Sequence, residues 1–337
     1  MNKILQEDIK QWVARFELAD ELAGSTFLIT GATGLIGSCL IHALLNMNKG
    51  VHIIAPVRNR VKAERLFEQS ANLIDWIECD LTTYNYSKVS KVDYIVHCAA
   101  PTSSKYFIVN PVETIDIIYH GTATLLDYAR THAPKGFVYL SSLEVYGSEL
   151  PSTIIEEDVQ GYWNPLLVRS SYPIAKRCAE NLCAAYAAEY NVPVCIARLT
   201  QTTGAGIARD DNRIIAQFAR LAANGDDIVL HTTGESARPY CYTMDCISAI
   251  LYILLRGKSG EAYNVANEDT YISARMMAEY LRDHVNSSIH VRIELSDGSE
   301  YAPVSKLHLS VEKLKALGWQ PQYGLKEIFE RLIAYLS

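Results

Sequence analysis

Three things are scarce in this chain of 337 residues. Basic charge is outnumbered, with 31 Lys and Arg against 38 Asp and Glu and a formal net charge of −7. That excludes the broad basic field of a general nucleic-acid binder, while a few well-placed arginines could still hold an anionic substrate. Paired cysteines are missing as well. None of Cys39, Cys79, Cys98, Cys178, Cys183, Cys195, Cys241 and Cys246 falls in a Cys-x-x-Cys pair, and most sit in apolar stretches such as IVHCAAP and VPVCIAR. They read as reduced core residues, not as disulfides or zinc ligands, so a cytoplasmic protein without a metal site is expected. Long apolar runs are the third absence. No run reaches the ~20 residues that a membrane-spanning helix needs. The opening MNKILQEDIKQWVARFELADEL carries acids throughout and reads as an amphipathic helix over Asn2–Leu22, not as a signal peptide. Neither nucleic acid nor a membrane is expected as a partner.

What the chain does have is apolar mass, 49% of its residues, enough for one large domain or for two unequal lobes around a cleft. Short apolar runs predict strands at Thr26–Thr30, Val51–Val57, Leu73–Glu78, Tyr94–Cys98, Gly136–Ser141 and Val194–Leu199. Helical patterns fall between them at Gly34–Asn46, Lys62–Gln69, Pro111–Thr131 and Tyr172–Tyr190. This alternation predicts an α/β fold with a doubly wound parallel sheet, because parallel strands need crossovers. After Leu199 the rhythm changes. TQTTGAGIARDDN reads as a loop, Arg213–Asn224 as a helix, Ile228–His231 as a strand and Thr243–Arg256 as a helix. EAYNVAN then reads as a strand, followed by helices over Ser273–Val285 and Ser310–Leu317. The expected organisation is a helical extension over 1–24, a Rossmann-type dinucleotide-binding domain over 25–200, and a smaller C-terminal α/β substrate lobe over 201–337 that returns to the main sheet around 239–266.

One stretch directs this architecture toward chemistry. In TFLITGATGLIGS, Gly31, Gly34 and Gly37 follow a predicted strand and open a predicted helix. The first glycine allows a tight turn, the second lets backbone approach a pyrophosphate, and the third lets helix and strand pack closely. The helix N-terminus adds free N–H groups and a positive dipole.

The spacing is Gly-x-x-Gly-x-x-Gly, and TGATGLIG resembles the signature of the extended branch of the short-chain dehydrogenase/reductase superfamily, the NAD-dependent epimerases and dehydratases. CDL at Cys79–Leu81, HCAAP at His97–Pro101, SSLEVYG at Ser141–Gly147 and YPIAK at Tyr172–Lys176 extend the resemblance, which runs from about residue 25 to the region beyond Gly318-Trp319. The resemblance implies a dinucleotide held by Gly31, Thr33, Gly34, Leu35, Ile36, Gly37, Asp80, Leu81, Ala99 and Ala100, together with Tyr172 and Lys176. It further implies a homodimer joined through helices Pro111–Thr131 and Tyr172–Tyr190.

It also implies Ser142, Tyr172 and Lys176 as catalytic residues. Tyr172 and Lys176 stand four apart, on one helix face. An ammonium beside a phenol favours the phenolate, which can then take the proton of a sugar hydroxyl. Ser142 would hydrogen-bond the same oxygen. Glu144, between the serine and VYG, adds a carboxylate where simple 4-epimerases of the branch have small uncharged residues. It is expected as a base at a carbon next to a transient ketone, as decarboxylases and dehydratases of nucleotide sugars require.

Within the branch, HCAAPTSSKYFIVNPVET and RSSYPIAKRCAENLCAAY are most similar to the UDP-glucuronate decarboxylase family. That similarity implies sugar contacts at Thr102, Ser103 and Gln201, and diphosphate or nucleotide contacts at Arg238 and Arg213, whose planar forks suit phosphate. Three departures stand out. Leu143 replaces a hydroxyl, Gln201 replaces an asparagine, and SKLHLS replaces an Arg-Lys-Pro-Asp stretch. The resemblance implies NAD or NADP, tightly bound, as the cofactor. Ala55 is expected where NAD users end the second strand with Asp, and with Arg58 nearby this favours NADP. The alternatives are an epimerase, a net NADPH-dependent reductase of the same superfamily, and a silent dinucleotide-binding regulator. Intact Ser142, Tyr172 and Lys176 argue against the last.

Overall fold

The computed structural model describes residues 1–68, 70–148, 150, 154–296 and 304–337. Its strands are β1 Thr26–Thr30, β2 His52–Val57, β3 Ile74–Glu78, β4 Tyr94–His97, β5 Gly136–Ser142 and β6 Val194–Leu199, then β7 Gln201–Thr203, β8 Ile228–Leu230, β9 Ala237–Tyr242, β10 Ala262–Val265, β11 Asn267–Ser273 and β12 Val291–Ile293. The helices are α1 Lys3–Arg15, α2 Leu35–Asn46, α3 Arg60–Leu66, α4 Ser104–Val109, α5 Pro111–His132 and α6 Ser171–Tyr190, then α7 Ile214–Asn224, α8 Thr243–Arg256, α9 Ala274–His284, α10 Glu312–Lys315 and α11 Leu325–Leu336.

Seven strands form one parallel sheet in the order β10-β6-β5-β4-β1-β2-β3. The chain winds outward from β1 to β3, then returns to β4 and winds the other way. The carboxyl ends of β1 and β4 therefore flank a switch point, where an open α/β sheet leaves a crevice. The strands alternate their burial. Phe27 and Ile29 of β1 join one core with Leu40, Leu44, Ile247 and Leu251 of α2 and α8. Leu28, between them, joins the other with Leu125, Leu126, Ala179 and Cys183 of α5 and α6. Both faces are thus covered, as a parallel sheet requires.

The chain after Leu199 holds two small sheets, β11-β9-β7 and β12-β8. Here the structure corrects the sequence reading. The loop expected at TQTTGAGIARDDN begins with β7, whose polar residues hid it; Gln201–Thr203 pair in parallel with Tyr240–Tyr242. The helix expected over Ser310–Leu317 shrinks to Glu312–Lys315, while β9, β11 and α11 had no expected counterpart. Gln69, the far end of the helix expected over Lys62–Gln69, lies outside the described residues; the helix itself spans Arg60–Leu66. All eight cysteines are free, and five are buried. Among the described residues, no helix is long and apolar enough to cross a membrane.

The opening helix is shorter than expected, ending at Arg15 before a separate 3-10 turn over Ala19–Leu22. Its Asp8 is wholly buried and accepts hydrogen bonds from the Tyr242 hydroxyl, at the end of β9, and from Arg331 of α11. Arg331 also reaches Gln11 at 2.9 Å. Residues far apart in sequence are joined by one buried carboxylate.

Candidate active site

At the glycine turn, backbone decides the geometry. Gly31 has φ +69°, and a Cβ there would stand 2.8 Å from the backbone nitrogen of Ala99. A Cβ on Gly37 would lie 2.3 Å from the Gly31 carbonyl oxygen. No side chain fits either place. Gly34, in extended backbone, begins α2 without a side-chain cap, so the first-turn N–H groups near Leu35 and Ile36 are not claimed by a capping side chain. Thr33 is exposed beside them. Across the switch point, the Thr30 hydroxyl accepts from the Ala99 N–H at 3.2 Å and bonds His97 Nδ1 at 2.7 Å. His97 is buried, and burial pulls its pKa down to about 3, so it stays neutral. This pair fixes Ala99, and Ala100 after it, against the glycine turn. A cradle closed to any Cβ and lined by free N–H groups fits a pyrophosphate.

Beyond the turn, the ribose position is corrected. Ala55 is buried two residues inside β2, which runs to Val57, and the exposed Arg58 is the first residue past its end. Arg58 helps hold Asp80 below the usual carboxylate range. The larger causes are the N–H and hydroxyl of Thr82, both 2.8 Å from Asp80 Oδ1. The neighbouring Leu81 carbonyl accepts from the Thr124 hydroxyl at 3.0 Å.

At the other end of the crevice, side chains decide. Ser142 closes β5, and its Oγ accepts from the Glu144 N–H at 3.2 Å, capping the 3-10 turn Leu143–Tyr146. Leu143 is buried in the core, so the residue that departs from the family pattern packs inward. Tyr172 sits in the first turn of α6, its ring stacked on Phe107 of α4 at 4.2 Å and 9°. Burial raises the Tyr172 pKa, and the Glu144 charge raises it further; a Ser142 hydrogen bond and the Arg169 charge oppose them. Lys176 shares the helix face as expected, but its Nζ donates to the Leu140 carbonyl at 2.6 Å and lies 5.9 Å from the Tyr172 ring centre. Burial pulls the lysine down to about 8, against the nearby Glu180 charge.

Glu144 does not stand alone. Arg169 Nη2 donates to both its carboxylate oxygens, at 2.9 and 3.1 Å, and Trp163 Nε1 donates to its backbone carbonyl at 2.8 Å. Arg169 Nη1 is buried and has no partner among the described residues. Sequence reasoning gave no role to Arg169, Phe107 or Trp163. The signal for Arg169 was its place three residues before the tyrosine in RSSY.

The expected sugar and phosphate residues form a second group. Gln201 lies just past Leu199, which pairs with Ser142, and its buried Oε1 has no partner among the described residues. Gln201 also pairs with Tyr240, whose phenol feels the charges of Arg238 and Arg213. Arg213 is committed internally: its guanidinium binds both Asp211 oxygens and reaches the Thr202 carbonyl at 2.6 Å. Arg238, half-buried on β9, pairs through its backbone with Ile272 of β11, and its guanidinium has no hydrogen bond or ion pair among the described residues. Thr102 and Ser103 are exposed just before α4.

Comparisons with known proteins give the family and the fold. UDP-glucuronic acid decarboxylase 5 of Arabidopsis thaliana is 28% identical over 309 residues, covering 89% of this chain and 86% of the relative. The UDP-glucose 4-epimerase of Thermotoga maritima superposes with TM-score 0.79 at 20% identity, over 92% of this chain and 98% of that one. DesIV, a dTDP-glucose 4,6-dehydratase of Streptomyces venezuelae solved with NAD bound, gives TM-score 0.76 at 22% identity, covering 92% of this chain and 96% of the other. Likenesses at these structural identities establish the shared fold. Residues 27–266, most of the chain, match the profile of one family. The chain belongs to the NAD dependent epimerase/dehydratase family.

Proposed function

We propose that the protein converts a nucleoside-diphosphate sugar by transient oxidation at C4, as a decarboxylase or dehydratase. The observation that carries this reading is a carboxylate in the turn after Ser142: Arg169 grips Glu144 through both oxygens, and the Glu144 charge reaches the Tyr172 phenol and helps raise its pKa. The named relatives act on UDP-glucuronic acid, UDP-glucose and dTDP-glucose, which supports the substrate class.

In this reading, residues 25–200 hold the dinucleotide and 201–337 mainly hold the sugar nucleotide. Gly31, Thr33, Gly34, Leu35, Ile36 and Gly37 take the pyrophosphate, Asp80 and Leu81 the adenine side, and Ala99 and Ala100 the wall after β4. A nicotinamide held by these residues would supply the hydride acceptor for oxidation of the sugar and the hydride donor for its return. Tyr172 takes the C4 hydroxyl proton, Lys176 supplies positive charge beneath it, and Ser142 donates to the oxygen that becomes a carbonyl. In a dehydratase Glu144 takes the C5 proton as the C6 hydroxyl leaves as water; in a decarboxylase, where CO2 leaves C5 and no proton is removed, Glu144 instead serves the return of a proton to that carbon. Arg238, whose guanidinium is unengaged, grips the diphosphate, while Arg213 shapes the wall through Asp211 and Thr202. Gln201, Thr102 and Ser103 contact the sugar.

A second reading rests on Arg58. A cation at the end of β2 suits a 2′-phosphate, hence NADP, and a reductase that exchanges its cofactor every turnover. Mass spectrometry of the denatured, purified protein separates the two. Near-stoichiometric dinucleotide supports the recycling enzyme and names NAD or NADP. A protein that carries none and consumes NADPH overturns it.

A homodimer fits the exposed apolar residues on the neighbouring helices. Ile108, Val109, Val112 and Ile115 of α4 and α5 lie open, as do Leu166, Leu167 and Val168 before α6. Light scattering on the wild type and Val112→Glu tests this; a dimer lost in the variant supports it, and a monomeric wild type contradicts it.

A further inference from the structure

The active-site turn and the turn before α6 are joined by a contact that the proposed chemistry does not use. Arg169 belongs to the 3-10 turn Val168–Ser170, and its Nη2 grips Glu144 through both oxygens. Its guanidinium carbon also lies 5.3 Å from the centre of the Phe107 ring, and Phe107 stacks on Tyr172. The Arg169 and Glu144 side chains are 35% and 27% exposed, so solvent weakens their attraction without removing it. We propose that Arg169 is the positioning residue of this site, holding the Glu144 carboxylate in one place beside the Tyr172 phenol and offsetting its charge there.

The need for such a residue follows from two demands on one small space. A base for carbon chemistry must be an ionised carboxylate, and a base for the sugar hydroxyl must be a phenolate. Two anions side by side oppose each other's ionisation. The groups facing the phenol are Ser142 and Glu144 from the turn after β5, Arg169 before α6, Lys176 from its own helix, Tyr139 from β5 and the uncharged Phe107 from α4. Lys176 is bound to the Leu140 carbonyl, whereas Arg169 directly engages the carboxylate that opposes the phenolate. A planar fork also fixes the carboxylate's orientation, which a point charge does less well.

This inference rests on the proposed role of Tyr172 as proton acceptor, and its test keeps the two apart. The pH dependence of sugar-driven cofactor reduction is measured in the holoenzyme with UDP-glucuronate, UDP-glucose and dTDP-glucose as probes. The variants are Arg169→Gln, Arg169→Lys, Glu144→Gln, the double variant Glu144→Gln/Arg169→Gln, and Tyr172→Phe. Reduction requires the phenolate, so its rate rises with pH to a midpoint. Removing Arg169 is expected to raise that midpoint by about one unit. Removing the Glu144 charge is expected to lower it, the double variant returns toward wild type, and Arg169→Lys recovers most of the loss. An Arg169→Gln variant that loses rate with an unmoved midpoint overturns the inference. A Tyr172→Phe variant that reduces cofactor at the normal rate overturns the underlying reading instead. A substrate-independent check is the thermal melt of the same holoproteins. Arg169→Gln and Glu144→Gln must be non-additive, since each removes the same contact, and strict additivity would count against the proposal.

Discussion

The two ends of the crevice are built by opposite means. The end proposed for the dinucleotide is made of backbone: a glycine turn that no Cβ can enter, a helix start without a cap, and Ala99 pinned by Thr30. The end proposed for the sugar is made of side chains brought in from distant places: Ser142 at the end of β5 and Glu144 just after it, Arg169 and Tyr172 around the start of α6, and Arg238 on β9. A backbone site presents the same N–H groups whatever the neighbouring side chains are, which suits a constant ligand. A side-chain site changes with each substitution, which suits a family whose members share a cofactor and differ in substrate and reaction. Helix α1 ties the two together. Its Asp8 holds the end of the strand that carries Arg238, and its Leu5 lies near Gly206, which also approaches Leu35 of the glycine turn.

The comparison breaks most sharply at Tyr172. Tyr172→Phe is expected to cut turnover by about 10²–10⁴-fold, the usual worth of a positioned acid–base group, with dinucleotide content unchanged. Parallel loss of the dinucleotide would mean that the two ends are not separable. Next in size is Asp8→Ala, which leaves Arg331 and Tyr242 without their shared acceptor. Removing one partner of a buried pair costs about 3–5 kcal/mol, read as a lower midpoint in denaturant unfolding. An unchanged midpoint would show that α1 is not the tie described. Gly31→Ala should lower retained dinucleotide by more than about tenfold, because a left-handed alanine costs roughly 1–2 kcal/mol before the collision with Ala99 is counted. Normal retention in that variant would contradict a backbone-built site. The smallest effect belongs to Arg58→Ala, which should weaken NADP about tenfold and leave NAD nearly unchanged, measured by competitive titration. Equal losses for both would mean that Arg58 serves adenine and not a 2′-phosphate.

The same division explains what could be read from the sequence. Gly31, Gly34 and Gly37, the strand before them and the helix after them are neighbours in the chain, so local pattern located the glycine turn and the parallel sheet. Tyr172 and Lys176 were legible because four residues on a helix share a face. Glu144–Arg169 was not, because 25 residues separate the partners and no periodicity links them. Strand β7 was missed for a similar reason. Gln201–Thr203 are polar, and their strand character comes from pairing with Tyr240–Tyr242. Asp8, inside an expected amphipathic helix, gave no sign that it would be buried against Tyr242 and Arg331. Leu143 was read as a departure from the family's chemistry, whereas its side chain is buried in the core.

The most direct test of the account is a rapid-mixing experiment on Glu144→Gln holoenzyme with UDP-glucuronate, UDP-glucose and dTDP-glucose, following the absorbance of reduced nicotinamide and the sugar product together. A sugar that the wild type converts by removing its C5 proton is predicted to drive cofactor reduction in the variant, and the reduced form will persist because the next step lacks its base. Normal product formation with no build-up of reduced nicotinamide would contradict it, leaving Glu144 as a loop residue and the carbon chemistry without a base.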